Sequence, residues 1–194
     1  MKKQYIGEAS DYWKGSIIQG TKRLLKGKIA VIPMITDNDP WDKNMEKAYS
    51  RLLNVDRKLV LNWNTLTKKN RIDYFKQSIH YLHLFLDPDT GVTTHRHDTK
   101  YVHVDQIKML LDKRPRRVIL IYQHRSHEEH YEQMKRIVDK VMGKIEKVNA
   151  TTYACGNVAM LFFSYDRDRI ERIKKHLKHM LCGDPLSKVS IWPQ

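Results

Sequence analysis

The residues best suited to chemistry are Asp87 and Asp89, two acids separated by a single proline. They close the apolar run 81–86 and precede a turn signal at Thr90-Gly91. Burying a carboxylate without partners costs roughly several kcal/mol, so an acid pair where an interior strand emerges is held for a purpose. Such a pair can accept hydrogen bonds from an amine or hold a divalent metal ion. The plainer alternative is an Asp-Pro turn or a helix cap. Other apolar runs of this chain also end in polar residues, which favours the chemical reading. Thr36 and Asp37 follow the run 28–34, Asn62 and Asn64 end the run 58–63, and Gln123, His124 and Arg125 follow 117–122. Asp87, Asp89, Lys100 and His124 are the catalytic candidates, His124 because a neutral imidazole at a strand end can give or take a proton near neutral pH. His127 and His130 repeat at intervals of three from His124, a spacing better explained by solvated or phosphate-facing side chains than by zinc.

The elements that must position these residues follow from periodicity. Ser10 or Asp11 is expected to cap a helix carrying Trp13, Ile17, Ile18, Leu24 and Leu25 inward until Gly27. Lys14 falls in its first turn, where a cation opposes the helix dipole, a placement that suits an anionic ligand or a solvated lysine. The run 28–34 reads as a buried strand. Asp39 as cap and Pro40 as first residue begin a helix with Met45, Tyr49, Leu52 and Leu53 inward. The run 58–63 reads as a second strand, and Thr67 as the cap of a helix bearing Ile72, Phe75 and Ile79. Residues 81–86 form the central strand. A short helix with Val104, Ile107, Leu110 and Leu111 leads to a strand at 117–122. A long helix over 131–145 follows, then a hairpin around Gly156-Asn157, a basic helix capped by Asp166, and a tail from about residue 182.

Short apolar strands alternating with helices imply an α/β domain of Rossmann-like, three-layer α/β/α form. Its sheet should be mostly parallel with an antiparallel C-terminal hairpin, and the domain should span 1–194. Ligands of such sheets bind beyond the carboxyl ends of the strands, so Thr36, Asp37, Asn62, Asn64, Asp87, Asp89, Gln123 and His124 are expected in one crevice. Lys14, Thr36, Asp37 and Asn64 are the candidates for holding a cofactor there.

Composition bounds the partner. Thirty-six Lys and Arg against 22 Asp and Glu give a formal charge of +14, a field that attracts polyanions, nucleic acid first among them. The basic residues cluster from Arg114 onward, and Arg116, Arg117 and Arg125 are the candidates for phosphate contacts. No apolar run approaches the roughly 20 residues that span a bilayer. The first ten residues hold two lysines without an apolar segment behind them, unlike a signal peptide, and two cysteines suggest neither a disulfide framework nor a zinc site. A soluble protein of a reducing cytoplasm, with DNA or RNA as partner and no membrane, is the expectation.

The layout resembles the ribosomal RNA adenine-N6 methyltransferases of the large-subunit type in its order of elements, its early lysine helix and its Asp87-Pro88 dipeptide. It is similar over more of its motifs to a poorly characterised group of bacterial and phage proteins. That resemblance covers Asp11-Tyr-Trp-Lys14, Thr36-Asp37, Leu86-Asp-Pro-Asp-Thr-Gly91, Lys100-Tyr-Val102 and Tyr122-Gln-His-Arg125, in that order. The methyltransferase resemblance implies S-adenosylmethionine as cofactor and Asp87 as acceptor for an exocyclic amine. Two departures stand against it: 35–39 contain no glycine, and the second proline and the aromatic of that family's Asp-Pro-Pro-Tyr clamp are replaced by Asp89 and Thr90. A metal-dependent phosphodiesterase or nuclease is the alternative. Pro88-Asp89, eight residues and Asp98-Thr99-Lys100 match the spacing of the PD-(D/E)xK nucleases, with Asp87 and Asp89 on Mg²⁺ or Mn²⁺. In that fold an apolar strand precedes the second motif, whereas here TTHRH does. A non-catalytic nucleic-acid-binding module is the third reading; it fits the charge and the missing glycine turn.

Overall fold

The computed structural model describes residues 2–37, 41–93, 98–124, 130–181 and 189–192. Helix α1 (Ala9–Leu25) starts one residue before the expected caps, with Glu8 extended at its N-cap. Asp11 instead lies inside the first turn and accepts from the Gly7 N–H at 2.9 Å. Lys26 in a left-handed conformation (φ 49°) ends the helix ahead of Gly27. β1 (Ile29–Ile32) follows.

Helix α2 (Lys43–Leu52) begins later than expected, because Asp42 is its cap and accepts from the N–H groups of Asn44 and Met45. Asp39 and Pro40, expected in that role, lie outside the described residues. The run 58–63 is not a strand. Asp56 accepts from Lys58 N and winds 57–59 into a 3-10 turn, and Asn62 at φ 58° breaks the extended chain, leaving one parallel bridge between Val31 and Val60. Thr67 and Asn70 close a turn on each other, and α3 (Arg71–Lys76) starts only after it, with Ile72 exposed rather than inward.

β2 (His83–Leu86), β3 (Gly91–Thr93), β4 (Tyr101–His103), α4 (Val104–Lys113), β5 (Ile119–His124), α5 (His130–Lys144), β6 (Asn149–Cys155), β7 (Val158–Ser164), α6 (Arg167–Leu181) and β8 (Val189–Trp192) complete the chain. The main sheet has six strands in the order β1-β2-β5-β7-β6-β8. β1, β2 and β5 pair in parallel, and the remaining pairs are antiparallel. β8 corrects the expectation of a structureless tail: Val, Ile and Trp favour an extended chain, and pairing with β6 satisfies an otherwise open sheet edge. β3 and β4 form a separate parallel pair.

Alternation along the parallel strands divides the core. Ala30, Ile32, Leu84, Leu86, Ile119 and Ile121 join one buried cluster with Ile107 and Leu110 of α4 and Val138 of α5. Ile29, Val31, Phe85, Leu120 and Tyr122 join another with Ile17 and Ile18 of α1, Tyr49 of α2 and Ile173 of α6. Each fully buried Ile, Leu or Phe contributes roughly 1.5–3 kcal/mol by leaving water. α1 and α2 approach closely at Gly15, where a Cβ would lie 2.5 Å from the Leu52 carbonyl oxygen. That approach brings Lys14 and Tyr49 to the same strand end. No helix among the described residues is long and apolar enough to cross a membrane.

Candidate functional site

The carboxyl ends of β2 and β5 meet the first turns of α1 around a cleft of about 480 Å³. Lys14, Asp87, Asp89, Lys100 and His124 all line it, together with Asp11, Tyr122, Tyr5, Lys2 and Glu8. On its floor, Asp11, Lys14 and Asp87 are 1%, 4% and 1% exposed. The Lys14 ammonium donates to Asp11 Oδ1 at 3.0 Å and to Asp87 Oδ2 at 3.1 Å, and stands 4.1 Å from the centre of the Tyr122 ring. An ammonium has three N–H groups, and two carboxylates and a ring face engage them. Lys14 is thus engaged on the cleft floor by three of the chain's own groups. Burial disfavours its charge, but Asp87 and Asp11 outweigh that and raise its pKa above the ordinary lysine value.

Asp87 is held from two further sides. Tyr49 donates its hydroxyl to Oδ2 at 2.7 Å, and burial followed by the Asp87 charge pushes that phenol well above its ordinary pKa. The Asp87 N–H donates to the Ile32 carbonyl at 2.9 Å. Oδ1 lies 3.1 Å from the Lys14 nitrogen but makes no hydrogen bond. Two carboxylates against one ammonium leave the floor with one net formal negative charge and one buried acceptor without a hydrogen-bond partner. Tyr122 forms the wall, its phenol pushed up to about 12 by burial, with Lys14 opposing. His124 packs edge-on against it with ring centres 4.7 Å apart. Burial and then Lys14 lower the His124 pKa while Asp87, Asp89 and Glu8 oppose, which favours the neutral imidazole.

The loop after Asp87 is fastened to β5. Gln123 donates to the Thr90 carbonyl at 3.1 Å and accepts from Val92 N at 2.8 Å, and His124 N donates to the same Thr90 carbonyl at 2.9 Å. Gly91 has φ 138°, and a Cβ there would sit 2.0 Å from Gln123 Oε1, so only glycine fits under the amide. The far side of the loop is tied by Thr90 N to the Lys100 carbonyl at 3.0 Å, and by Arg71 to the carbonyls of Asp98 and Tyr101 and to the Gln106 side chain.

The other expected residues are placed elsewhere. Thr36 donates to Asp89 and so touches the rim through it. Asp37 accepts from the Trp41 ring N–H at 3.1 Å and does not line the cleft, and Asn64 is exposed away from it. Arg117 is 0% exposed, and its guanidinium donates to the carbonyls of Leu110, Ser78, Ile79 and Tyr81. It holds the chain together and presents nothing to a phosphate, contrary to expectation. Arg116 is exposed at the opposite end of the sheet, and Arg125 lies outside the described residues. Tyr49 and Asp11 are the functional neighbours that sequence reasoning did not assign. The i, i+3 spacing of Asp11 and Lys14 on one helix was the available signal for the second.

The two proposed cofactors fit poorly. Asp87 faces an ammonium with both oxygens, so a divalent ion would have to displace Lys14, and among the described residues no group of three or more His, Cys, Asp or Glu could hold one. After β1, Met34 and Ile35 are fully buried and the Ile35 carbonyl accepts from Leu66 N at 2.6 Å. Among its described residues, 33–37, that turn is packed inward at Met34 and Ile35 and offers no bare backbone cradle for S-adenosylmethionine. In comparisons with known proteins, the chain matches no family model and no curated protein.

Proposed function

We propose that the protein acts on nucleic acid, and that its cleft receives an amine-bearing base with Asp87 as the acceptor. The observation that carries this reading is Oδ1 of Asp87, a buried carboxylate oxygen without a hydrogen-bond partner on a residue that lines the cleft beside Tyr122. A neutral exocyclic amine supplies the missing donor, and the residual negative charge of the floor favours positive charge developing on that nitrogen. Neutral His124 at the mouth is suited to take up a proton. The formal charge of +14 supplies long-range attraction to the polyanion. Amine-directed, methyltransferase-like chemistry is thereby favoured over a metal-dependent phosphodiesterase. We also infer a Rossmann-like, three-layer architecture; the division of the core into two clusters supports it. A cytoplasmic setting is part of the same proposal.

The non-catalytic binding module is the second reading, and the packed turn after β1 favours it. A single set of measurements separates them. Calorimetric titration with single-stranded and duplex DNA and RNA should give binding, and titration with Mg²⁺ or Mn²⁺ should give none that depends on Asp87. Transfer of label from S-adenosylmethionine to the bound nucleic acid identifies the enzyme. Binding without transfer identifies the module. Absence of nucleic-acid binding, or loss of tight Mg²⁺ binding on Asp87→Asn, defeats the proposal.

A further inference from the structure

At the end of the sheet opposite the cleft, the register of Ile29 with His83 and of Leu84 with Ile119 aligns the starts of β1, β2 and β5. α1 ends on this edge: a Cβ on Gly27 would lie 3.2 Å from the His83 ring. α6 begins there, since Arg169 donates to the Arg116 carbonyl at 2.9 Å and Arg172 donates to the Leu24 carbonyl at 2.7 Å. These contacts gather Arg23, Lys26 and Lys28 around the end of α1, Arg116 ahead of β5, and Arg172 of α6, all exposed. Their acidic neighbours are Asp56, which is paired with Lys58 beside Lys28, Asp166, which is paired with Arg169, and the exposed Asp168 and Glu171. Cations prevail on this edge.

We infer that this edge is a phosphate-binding patch that holds the backbone of the same nucleic acid whose base enters the cleft; the inference rests on the nucleic-acid reading above. Helix α1 joins the two places. Lys14 lies on the cleft floor and Lys26 at the patch, twelve positions later in the sequence, which at about 1.5 Å per residue is about 18 Å along the helix axis. No acidic residue lies on α1 between them, and Tyr12, 62% exposed near the cleft, offers a ring face for a base. At about 3.4 Å per nucleotide along a duplex strand, the separation corresponds to about five nucleotides. Ligands shorter than that reach one place only.

The test is the salt dependence of binding, read by fluorescence anisotropy of labelled oligonucleotides. In the triple variant Arg23→Gln, Lys26→Gln, Arg116→Gln, the slope of log affinity against log salt should fall by about 2 to 3 for a duplex of about 20 base pairs, close to one phosphate per side chain. An oligonucleotide of about four residues should bind parent and variant alike, because it fills the cleft without reaching the patch. Lys43→Gln, Lys68→Gln, Lys69→Gln removes the same charge beyond the other end of the sheet and should lower the slope far less. Equal slopes in the parent and the patch variant, or equal loss in both triple variants, overturn the patch and leave the cleft reading intact. If the patch variant loses binding to anionic lipid vesicles while its oligonucleotide binding is unchanged, the edge serves a membrane surface and the proposal is wrong. If the parent binds no oligonucleotide at low salt, the nucleic-acid reading falls and the patch falls with it. Circular dichroism of both variants checks that each is folded.

Discussion

Two buried cations sit at opposite ends of the parallel strands, and the protein treats them differently. Arg117 is surrounded by four backbone carbonyls and faces no cavity. Lys14 is surrounded by two carboxylates and a tyrosine ring, and one of those carboxylates, on a residue that lines the cleft, keeps an oxygen without a hydrogen-bond partner. The first arrangement surrounds the two terminal nitrogens with carbonyl dipoles and leaves only the buried Nε without a partner. The second leaves net formal negative charge and a buried acceptor without a hydrogen-bond partner on a residue that lines a cleft. A buried charge alone does not mark a site; a buried charge whose partner has acceptor capacity left over, facing a cavity, does.

Removing each cation sharpens the contrast. Lys14→Met should destabilise the protein by about 3–5 kcal/mol in urea denaturation, because Asp11 and Asp87 are left as unneutralised neighbours, and the folded fraction should lose oligonucleotide affinity as well. Arg117→Met should cost about 3 kcal/mol by abandoning buried carbonyls while leaving the affinity of the folded protein unchanged. Equal effects of the two variants on affinity would erase the distinction drawn between them.

Gly91→Ala tests the clamp that holds the cleft loop. A Cβ 2.0 Å from Gln123 Oε1 at φ 138° should cost about 2 kcal/mol. Much of that cost should return in the double variant Gly91→Ala, Gln123→Ala if the clash is the cause, and none of it if backbone strain dominates.

The smallest effect concerns the far end. His83 is buried, its Nδ1 accepts from Val118 N at 3.2 Å, and burial followed by Arg169 lowers its pKa from 6.5 to about 4. The folded state therefore resists a proton that the unfolded chain accepts. This contribution to stability is complete above about pH 6.5 and is lost as the pH falls toward 4, at about 1–2 kcal/mol. His83→Gln should flatten that part of the pH profile. A profile unchanged by the substitution would show that other groups control it.

Much of this end-to-end difference was legible in the sequence, for identifiable reasons. Continuous apolar runs at 28–34, 81–86 and 117–122 announced buried strands, and the polar residues after them announced Asp87, Asp89 and His124 at one end. The strand expected at 58–63 failed because a capping Asp56 and a left-handed Asn62 outweigh six residues of suitable composition. Tyr49 was invisible as a site residue, since a tyrosine on the inward face of a helix reads as core until its hydroxyl is seen to meet Asp87. Arg117 misled for the converse reason. Within a basic tetrapeptide nothing local says that one guanidinium turns inward, and only the helix and turn ends around it supply the carbonyls that draw it there.

The central claim is that the buried Asp87 oxygen without a hydrogen-bond partner accepts from an exocyclic amine, and replacing that amine alone tests it most directly. Oligonucleotides in which adenine is exchanged for hypoxanthine, or cytosine for uracil, lose the donor and keep the phosphates. Binding of these pairs should be compared in the parent and in Asp87→Asn by competition at fixed salt. The account predicts about tenfold or more weaker binding of at least one amine-free partner to the parent, as expected for a hydrogen bond to a charged acceptor, and a clear reduction of that preference in Asp87→Asn. Equal affinity of the parent for both members of each pair, with Asp87→Asn indistinguishable from it, would contradict the account.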